Sequence, residues 1–355
     1  MNNRKSYLDN IRWATVLLVL FYHVGYLFNG VGILGGVPNG ENLRWADWLI
    51  GVPYPWFMVL LFVVSGICAR YALEKRTGKE FIRERAGKLL VPSTLGLFVI
   101  HWVTGYFNIK MGGGLEYIPG FLVYPISVMS GIGPLWFIQM LFLFSTALLL
   151  LRRIDREDRL WRICGKANGW IAALLVLLIW GASCVGNVPV LTMYRFGIYF
   201  AAFLIGYLVF SHEAVQMQLE AFRWGYLALA LVFGAGYCLK YCGGNYTENA
   251  VLQSFLTNAY LWFAVLVILG LMRRYGNGET PVTRYLTKNS FGFYILHYPV
   301  LVTTAYVLQY HTALSVGWKY FLTLVGMLAG TLLLNEAVKR IPGIRWLVLG
   351  VKKKR

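Results

Sequence analysis

Ten apolar stretches follow one another along the 355-residue chain, and short polar connections separate them. A helix needs roughly 20 apolar residues to cross the hydrocarbon core of a bilayer. The longest connection has about 25 residues, which leaves no room for a sizeable soluble domain. The pattern therefore predicts an all-α, polytopic membrane protein with about ten transmembrane helices. The predicted spans cover residues 11–30, 48–73, 88–108, 134–151, 169–186, 194–211, 222–240, 252–272, 290–310 and 316–338.

The composition supports a chain whose main solvent is lipid. Hydrophobic residues make up 58% of the sequence and charged residues only 14%, whereas a soluble domain carries about 25% charged residues. A net charge of +18 is typical either of a nucleic-acid binder or of a membrane protein with basic cytoplasmic loops. The basic residues alternate with the apolar runs instead of clustering on one stretch, which argues against a nucleic-acid partner. The bilayer is the expected environment.

The distribution of Lys and Arg predicts the orientation of the spans. Of 33 basic residues, 27 fall at the two termini and in the connections that the ten-span arrangement places on the cytoplasmic side. The connections on the opposite side hold only Arg44, Lys110 and Lys240. Basic residues resist translocation, so we expect both termini in the cytoplasm. Residues 1–338 are then a single transmembrane domain, and residues 339–355 form a basic cytoplasmic tail.

The first predicted span carries three ionisable residues on one helix face. Asp9, Arg12 and His23 share this face, because the eleven residues from Arg12 to His23 turn a helix about 20° past three full turns. The rise between them is about 16 Å, half of a bilayer core. The stripe thus places a carboxylate and a guanidinium at the cytoplasmic rim and a neutral imidazole near mid-membrane, which suits a general base or nucleophile. A structural Asp9–Arg12 pair and an interhelical hydrogen bond from His23 would explain the same residues.

Other polar groups within the spans have both functional and structural interpretations. His297 in the ninth span and Ser65 in the second are candidate site residues. Close helix packing at Ser65 and the following glycine, and a satisfied polar contact at His297, are the structural alternatives. His101 and Arg195, near the outer ends of their spans, are expected to extend to the membrane surface.

The connection after the second span brings several cations close to the start of the third. Arg83, Arg85 and Lys88 precede Pro92. Such a cluster could bind a phosphorylated ligand, since charge-assisted bonds to phosphate are strong. The positive-inside rule alone also places cations here, so the pattern leaves both interpretations open.

Five short motifs occur in order along the chain. They are Tyr7-Leu8-Asp9-Asn10-Ile11-Arg12 with His23, Leu61-Phe62-Val63-Val64-Ser65-Gly66, Arg85-Ala86-Gly87-Lys88, Leu135-Trp136-Phe137-Ile138 and Ser290-Phe291-Gly292-Phe293-Tyr294-Ile295-Leu296-His297. The motifs and their order resemble the acyltransferase-3 family of integral-membrane acyltransferases, and ten spans are also the usual core of that family. Departures occur at Asn10 and Trp13, where the commoner form has Gly, and at Lys88, where it has Arg. A fainter resemblance links the end of the basic motif to the branch that succinylates periplasmic glucans.

The resemblance implies an enzyme of the bacterial cytoplasmic membrane that modifies polysaccharides of the cell envelope. Such proteins move an acyl group, usually acetyl, from cytoplasmic acyl-coenzyme A to a hydroxyl of an extracytoplasmic glycan. His23 would act as the base or carry the acyl group briefly, with Asp9 beside Arg12. The implied binding residues are Arg12, Arg85 and Lys88 for the donor phosphates, Tyr294 and His297 along the acyl path, and Arg195 with residues 109–133 toward the glycan. Ser65 and Trp136 are further implied substrate-binding residues.

A transporter or flippase for a glycan or lipid-linked intermediate is the alternative function, because a polar site near mid-membrane also suits a carrier. No metal is expected, since the five cysteines lack the spacing of a zinc site. The sequence leaves open the acceptor, the choice between acetyl and succinyl, a ternary-complex or acyl-enzyme route, and the oligomeric state.

Overall fold

A computed structural model describes residues 5–33, 37, 42–188 and 191–352. Helices account for 79% of these residues, and they form no β-strand, which confirms the all-α prediction. Arg4 and residues 353–355 of the basic tail lie outside the described residues. The helices are α1 (Ser6–Leu27), α2 (Arg44–Gly51), α3 (Phe57–Leu73), α4 (Gly78–Met111), α5 (Gly120–Ser130), α6 (Gly133–Ile154), α7 (Arg159–Cys164), α8 (Gly169–Ser183), α9 (Phe196–Leu208), α10 (Glu213–Ala221), α11 (Arg223–Tyr241), α12 (Asn249–Leu252), α13 (Phe255–Tyr275), α14 (Pro281–His311), α15 (Val316–Arg340) and α16 (Pro342–Leu349).

Each of the ten apolar stretches contains at least one helix. Within the described residues, five helices are long and apolar enough to cross a membrane, namely α4, α6, α13, α14 and α15. A sixth span results if α9 and α10, which meet at a 108° bend, are taken together. Three further apolar helices, α3, α5 and α8, are shorter. The structure therefore supports a multi-pass membrane protein, while the count of ten and the cytoplasmic position of the termini stay predictions.

Helix α4 contains two wide turns that sequence patterns did not indicate. The first covers Ala86–Leu90, where the Val91 amide bonds to the Ala86 carbonyl, five residues back. Pro92 lacks an amide hydrogen and its ring crowds the carbonyl four residues earlier, which favours a wider turn here. The second wide turn covers Leu97–His101. Such turns interrupt the α-helical register and are frequent at functional sites.

The chain divides into two compact units. The first unit comprises the described residues of Met1–Thr15, Gly51–Ile82 and Leu143–Thr287. The second unit comprises those of Val16–Ile50, Arg83–Phe142 and Lys288–Arg355.

In the first unit, α3 and α9 pack with their backbones in contact. A Cβ atom at Gly66 would overlap the carbonyl oxygen of Phe203, and one at Gly206 would overlap that of Val63. Small residues at such positions let two helices approach closely in lipid. The glycine next to Ser65 thus has the packing role that the sequence allowed.

In the second unit, α5 packs against the C-terminal part of α4. A Cβ atom at Gly105 would overlap the Ser127 carbonyl, and one at Gly131 would overlap the His101 carbonyl. The short apolar helix α5 lies in the Gly- and Pro-rich stretch 109–133 that separates the third and fourth predicted spans. This close packing fixes His101 inside the unit.

Candidate active site

The start of α1 presents the paired carboxylate and guanidinium that the sequence predicted. Arg12 Nη1 lies 3.1 Å from Asp9 Oδ1, one helical turn away. The Arg12 side chain is 51% exposed and the Asp9 side chain 19%. The ion pair matches the structural interpretation, and the Arg12 side chain is still half exposed.

Asn10 and Trp13, two of the three residues at which the sequence departs from the commoner motifs, contact each other. Trp13 Nε1 donates to Asn10 Oδ1 at 2.8 Å. Asn10 Nδ2 in turn donates to the carbonyls of Gly276 and Gly278, at 2.7 and 3.0 Å. Asn10 therefore attaches the start of α1 to the backbone that follows α13, all within the first unit.

In the second unit, His23 and His297 form a hydrogen-bonded imidazole pair. Nε2 of His297 lies 3.1 Å from Nδ1 of His23, and the ring centroids are 5.1 Å apart. His297 is fully buried, whereas His23 is half-buried. Helix α14 therefore supplies the interior partner and α1 supplies the more accessible imidazole.

The surrounding acceptors assign the protons of this pair. Nδ1 of His297 lies 2.8 Å from the Tyr294 carbonyl and 3.2 Å from the Phe293 carbonyl, so this nitrogen donates. In a neutral imidazole the other nitrogen then accepts, which makes His297 Nε2 the acceptor and His23 Nδ1 the donor. Nε2 of His23 is left with a lone pair. That arrangement is the one a general base requires.

Aromatic side chains enclose the imidazole pair. The rings of Tyr22, Tyr26 and Tyr298 lie 5.3, 6.0 and 5.2 Å from the ring of His23. Such an apolar wall excludes water and strengthens hydrogen bonds inside it.

Tyr294 connects α14 to the start of α6. Its hydroxyl donates to the Pro134 carbonyl, and its ring lies 5.7 Å from that of Phe137. Trp136, the neighbour of Phe137, is buried. The structure thus brings Tyr294 and His297 of the ninth-span motif together with His23, and places Trp136 close to Tyr294 along α6.

The predicted donor-binding cations of the second unit lie on α4. Arg85 immediately precedes the first wide turn. Lys88 lies within it, is 57% exposed, and pairs with Glu84 at 2.6 Å. Gly350, at the end of α16, has a positive φ of 64°, and a Cβ atom there would overlap the Gly87 carbonyl. Helix α16 thus supports the backbone of this turn from the side.

Two residues expected at the membrane surface are buried instead. Arg195 is only 4% exposed and its Nη2 donates to the Leu252 carbonyl at 3.0 Å. A buried guanidinium needs acceptors, and the end of α12 supplies one, so Arg195 ties two parts of the first unit together. His101 is fully buried in the second unit. For both, the expectation of a side chain extending to the surface was wrong.

Sequence patterns also missed a polar cavity of about 760 Å³ in the first unit. Arg273 pairs with Glu213 and with Glu220, and Lys5 pairs with Glu213. Gln216 Oε1 accepts from Lys5 at 2.8 Å. These residues come from α10, α13 and the start of the chain. Counting Lys and Arg in each loop cannot show which of these cations have acidic partners. Among the described residues, no three His, Cys, Asp or Glu side chains are placed to hold a metal ion.

The site residues thus fall into two groups. Asp9, Arg12, Ser65 and Arg195 lie in the first unit, and His23, Arg85, Lys88, Trp136, Tyr294 and His297 lie in the second. No curated protein and no solved structure matches the chain. A family comparison matches residues 5–336, nearly the whole chain, to the acyltransferase domain of the acyltransferase-3 family. The chain therefore belongs to the acyltransferase-3 family and is a membrane acyltransferase.

Proposed function

We propose that the protein transfers an acyl group, with acetyl as the expected group, from cytoplasmic acyl-coenzyme A to a hydroxyl of an extracytoplasmic glycan. The observation that carries this proposal is the His23–His297 pair, in which the half-buried His23 has an available lone pair on Nε2. On this proposal the protein lies in the bacterial cytoplasmic membrane and acts on the cell envelope.

In the proposed reaction, Nε2 of His23 takes the proton of the acceptor hydroxyl while the hydroxyl oxygen attacks the thioester carbonyl. The carbon–sulfur bond then breaks, and the leaving thiolate takes the proton from the His23 imidazolium. An ester and the free thiol of coenzyme A result. His297 holds His23 in the required tautomer and stabilises the imidazolium, the role that an acidic residue has in a serine hydrolase.

An acyl-enzyme route uses the same pair. Nε2 of His23 attacks the thioester carbonyl, the carbon–sulfur bond breaks, and the coenzyme A thiolate leaves. The acceptor hydroxyl then attacks the acyl-imidazole, the bond between carbon and Nε2 breaks, and the hydroxyl proton passes to the thiolate. In both routes His23 is the reacting residue and His297 is the positioning residue.

Arg12, Arg85 and Lys88 are the proposed partners of the donor phosphates. Arg12 and Lys88 are more than half exposed, and a phosphate can compete with the carboxylate that each of them pairs with. Arg offers a bidentate fork and Lys a point charge. Arg195 has backbone and interior partners in the first unit, so we leave it out of the proposed acceptor site.

The test replaces His23 by Ala in the full-length protein, purified in detergent and supplied with radiolabelled acetyl-coenzyme A. Loss of a general base is expected to reduce hydrolysis and transfer by about 10²- to 10⁴-fold, while membrane expression stays normal. His311→Ala, at the exposed end of α14, is the matched control and should keep activity. Near-normal transfer by His23→Ala would contradict the assignment. A carrier would neither hydrolyse nor transfer from acetyl-coenzyme A.

A further inference from the structure

His101 is a fully buried histidine that the proposed reaction does not use. It ends the second wide turn of α4. Neither of its ring nitrogens has a hydrogen-bond partner among the described residues. Buried polar groups are normally satisfied by protein, water or ligand, so this unpartnered imidazole is able to bind a ligand.

A second orphaned group lies one helical turn further along α4. The Thr104 hydroxyl is fully buried and has no partner in the described part of the chain. Asn108 Oδ1, another turn on, is also buried without a described partner. Residues three, four and seven apart share one helix face, so these groups form a polar stripe about 10 Å long. We call His101, Thr104 and Asn108 the α4 stripe.

The α4 stripe begins beside the imidazole pair of the same unit. Thr104 follows His101 by three residues, so the two lie one helical turn apart on α4. Gly133 separates Tyr298 from Thr104, because a Cβ atom there would lie 3.2 Å from the Tyr298 ring and 3.7 Å from the Thr104 methyl group. The Tyr298 ring in turn contacts His23. The orphaned groups and the proposed base thus share one neighbourhood.

Asn108, the last residue of the α4 stripe, lies three residues before the C-terminal end of α4 at Met111. The Lys110 ammonium lies 4.8 Å from the ring centroid of Tyr306 on α14. The Phe107 ring lies 5.0 Å from the same Tyr306 ring, so the C-terminal ends of α4 and α14 lie in contact. In the predicted orientation these ends face away from the cytoplasm, the side from which a glycan would enter.

We propose that His101 and Thr104 bind hydroxyl groups of the acceptor beside the His23–His297 pair. This inference rests on the proposed function. A neutral imidazole and a hydroxyl each donate and accept, which matches the neighbouring hydroxyls of a neutral sugar. In this role His101 binds an acceptor hydroxyl and exchanges no proton during acyl transfer.

The test compares two reactions of the same full-length variants. The first is hydrolysis of acetyl-coenzyme A in detergent, where water is the acceptor. The second is transfer of radiolabelled acetyl from acetyl-coenzyme A to endogenous envelope glycan in inverted membrane vesicles. Thr104→Val keeps the side-chain volume, and His101→Phe keeps a planar ring. Thr94→Val is the matched control, because its exposed hydroxyl already bonds to the Leu90 carbonyl at 2.7 Å.

We expect each α4 stripe variant to reduce transfer about tenfold, the effect of one lost hydrogen bond to substrate, and to keep hydrolysis within about twofold of the unmodified protein. Thermal stability should be unchanged or higher, because each variant removes a buried polar group that has no protein partner.

Transfer unchanged in Thr104→Val would overturn the proposal, whether or not His101→Phe folds. An equal loss of hydrolysis and transfer would also overturn it, since His101 would then act on the proton of His297. If the unmodified protein shows neither reaction, the proposed function itself fails.

Discussion

His297 accepts a hydrogen bond from His23 across a separation of 274 residues, with 3.1 Å between Nε2 and Nδ1. The backbone carbonyls of α14 determine the direction of this bond, because they occupy the other nitrogen of His297. The availability of His23 Nε2 thus depends on two carbonyls that belong to another helix. In physical terms, α14 selects the tautomer with which α1 can act.

Replacing His297 tests the positioning of the His23 ring separately from the reaction at His23. His297→Phe removes the acceptor for His23 Nδ1 and is expected to reduce acetyl-coenzyme A hydrolysis by about 10²-fold or more, as loss of an orienting partner does in related dyads. His297→Gln retains a carbonyl acceptor and should lose less. Steady-state rates of both variants beside His23→Ala check the order, and a Gln variant weaker than the Phe variant would contradict it.

The exposed guanidinium of Arg12 leads to a prediction about the donor. Arg12→Ala should raise KM for acetyl-coenzyme A by about tenfold with a smaller effect on kcat, because an ionic bond to phosphate forms before the reaction. Raised salt should increase KM of the unmodified protein more than that of the variant. Lys79→Ala, at another exposed cation, is the control and should leave KM and its salt dependence unchanged.

The contact of α3 with α9 predicts a large effect on stability from one methyl group. Gly66→Ala would overlap the Phe203 carbonyl and is expected to destabilise the protein by about 1–3 kcal/mol. Gly225→Ala adds the same atom on α11 with nothing within 4 Å. Thermal unfolding in detergent should therefore show a lower Tm for the first variant only, and equal values would contradict the packing argument.

The bond between Asn10 and Trp13 predicts that their substitutions are not additive. Asn10→Ala and Trp13→Phe should each destabilise the protein, and the double variant should lose about 0.5–1.5 kcal/mol less than the sum. Unfolding measurements on the three variants complete the cycle. Asn10→Ala combined with Gly225→Ala, whose added atom has nothing within 4 Å, should show simple additivity, and coupling there would show that the cycle reports something other than the bond.

Much of the fold follows from periodicity and length alone. Each apolar stretch contains a helix, and the stripe of Asp9, Arg12 and His23 lies on one continuous helix, since these features depend on residues close in sequence. Long-range partners do not follow in this way. The His297 contact of His23 and the Leu252 contact of Arg195 join distant segments, and the number of charges in a loop cannot show which of them are paired.

Burial is the second property that local patterns missed. His101 and Arg195 occupy positions that a straight helix would place near the membrane surface. The close packing of α5 covers His101, and a carbonyl at the end of α12 gives Arg195 an interior partner. Both outcomes depend on the approach of a second element.

The two wide turns of α4 have a consequence for how this helix tolerates change. A wide turn contains one residue more than the helical register needs, so deleting a single residue from Leu97–Ile100 would restore an ordinary turn. The helix would stay intact, and His101 with every later residue would keep nearly the same angular position relative to Arg85, because the wide turn already absorbs the extra residue. The wide turn therefore lets α4 carry one additional amino acid without changing the helix face on which the buried imidazole lies.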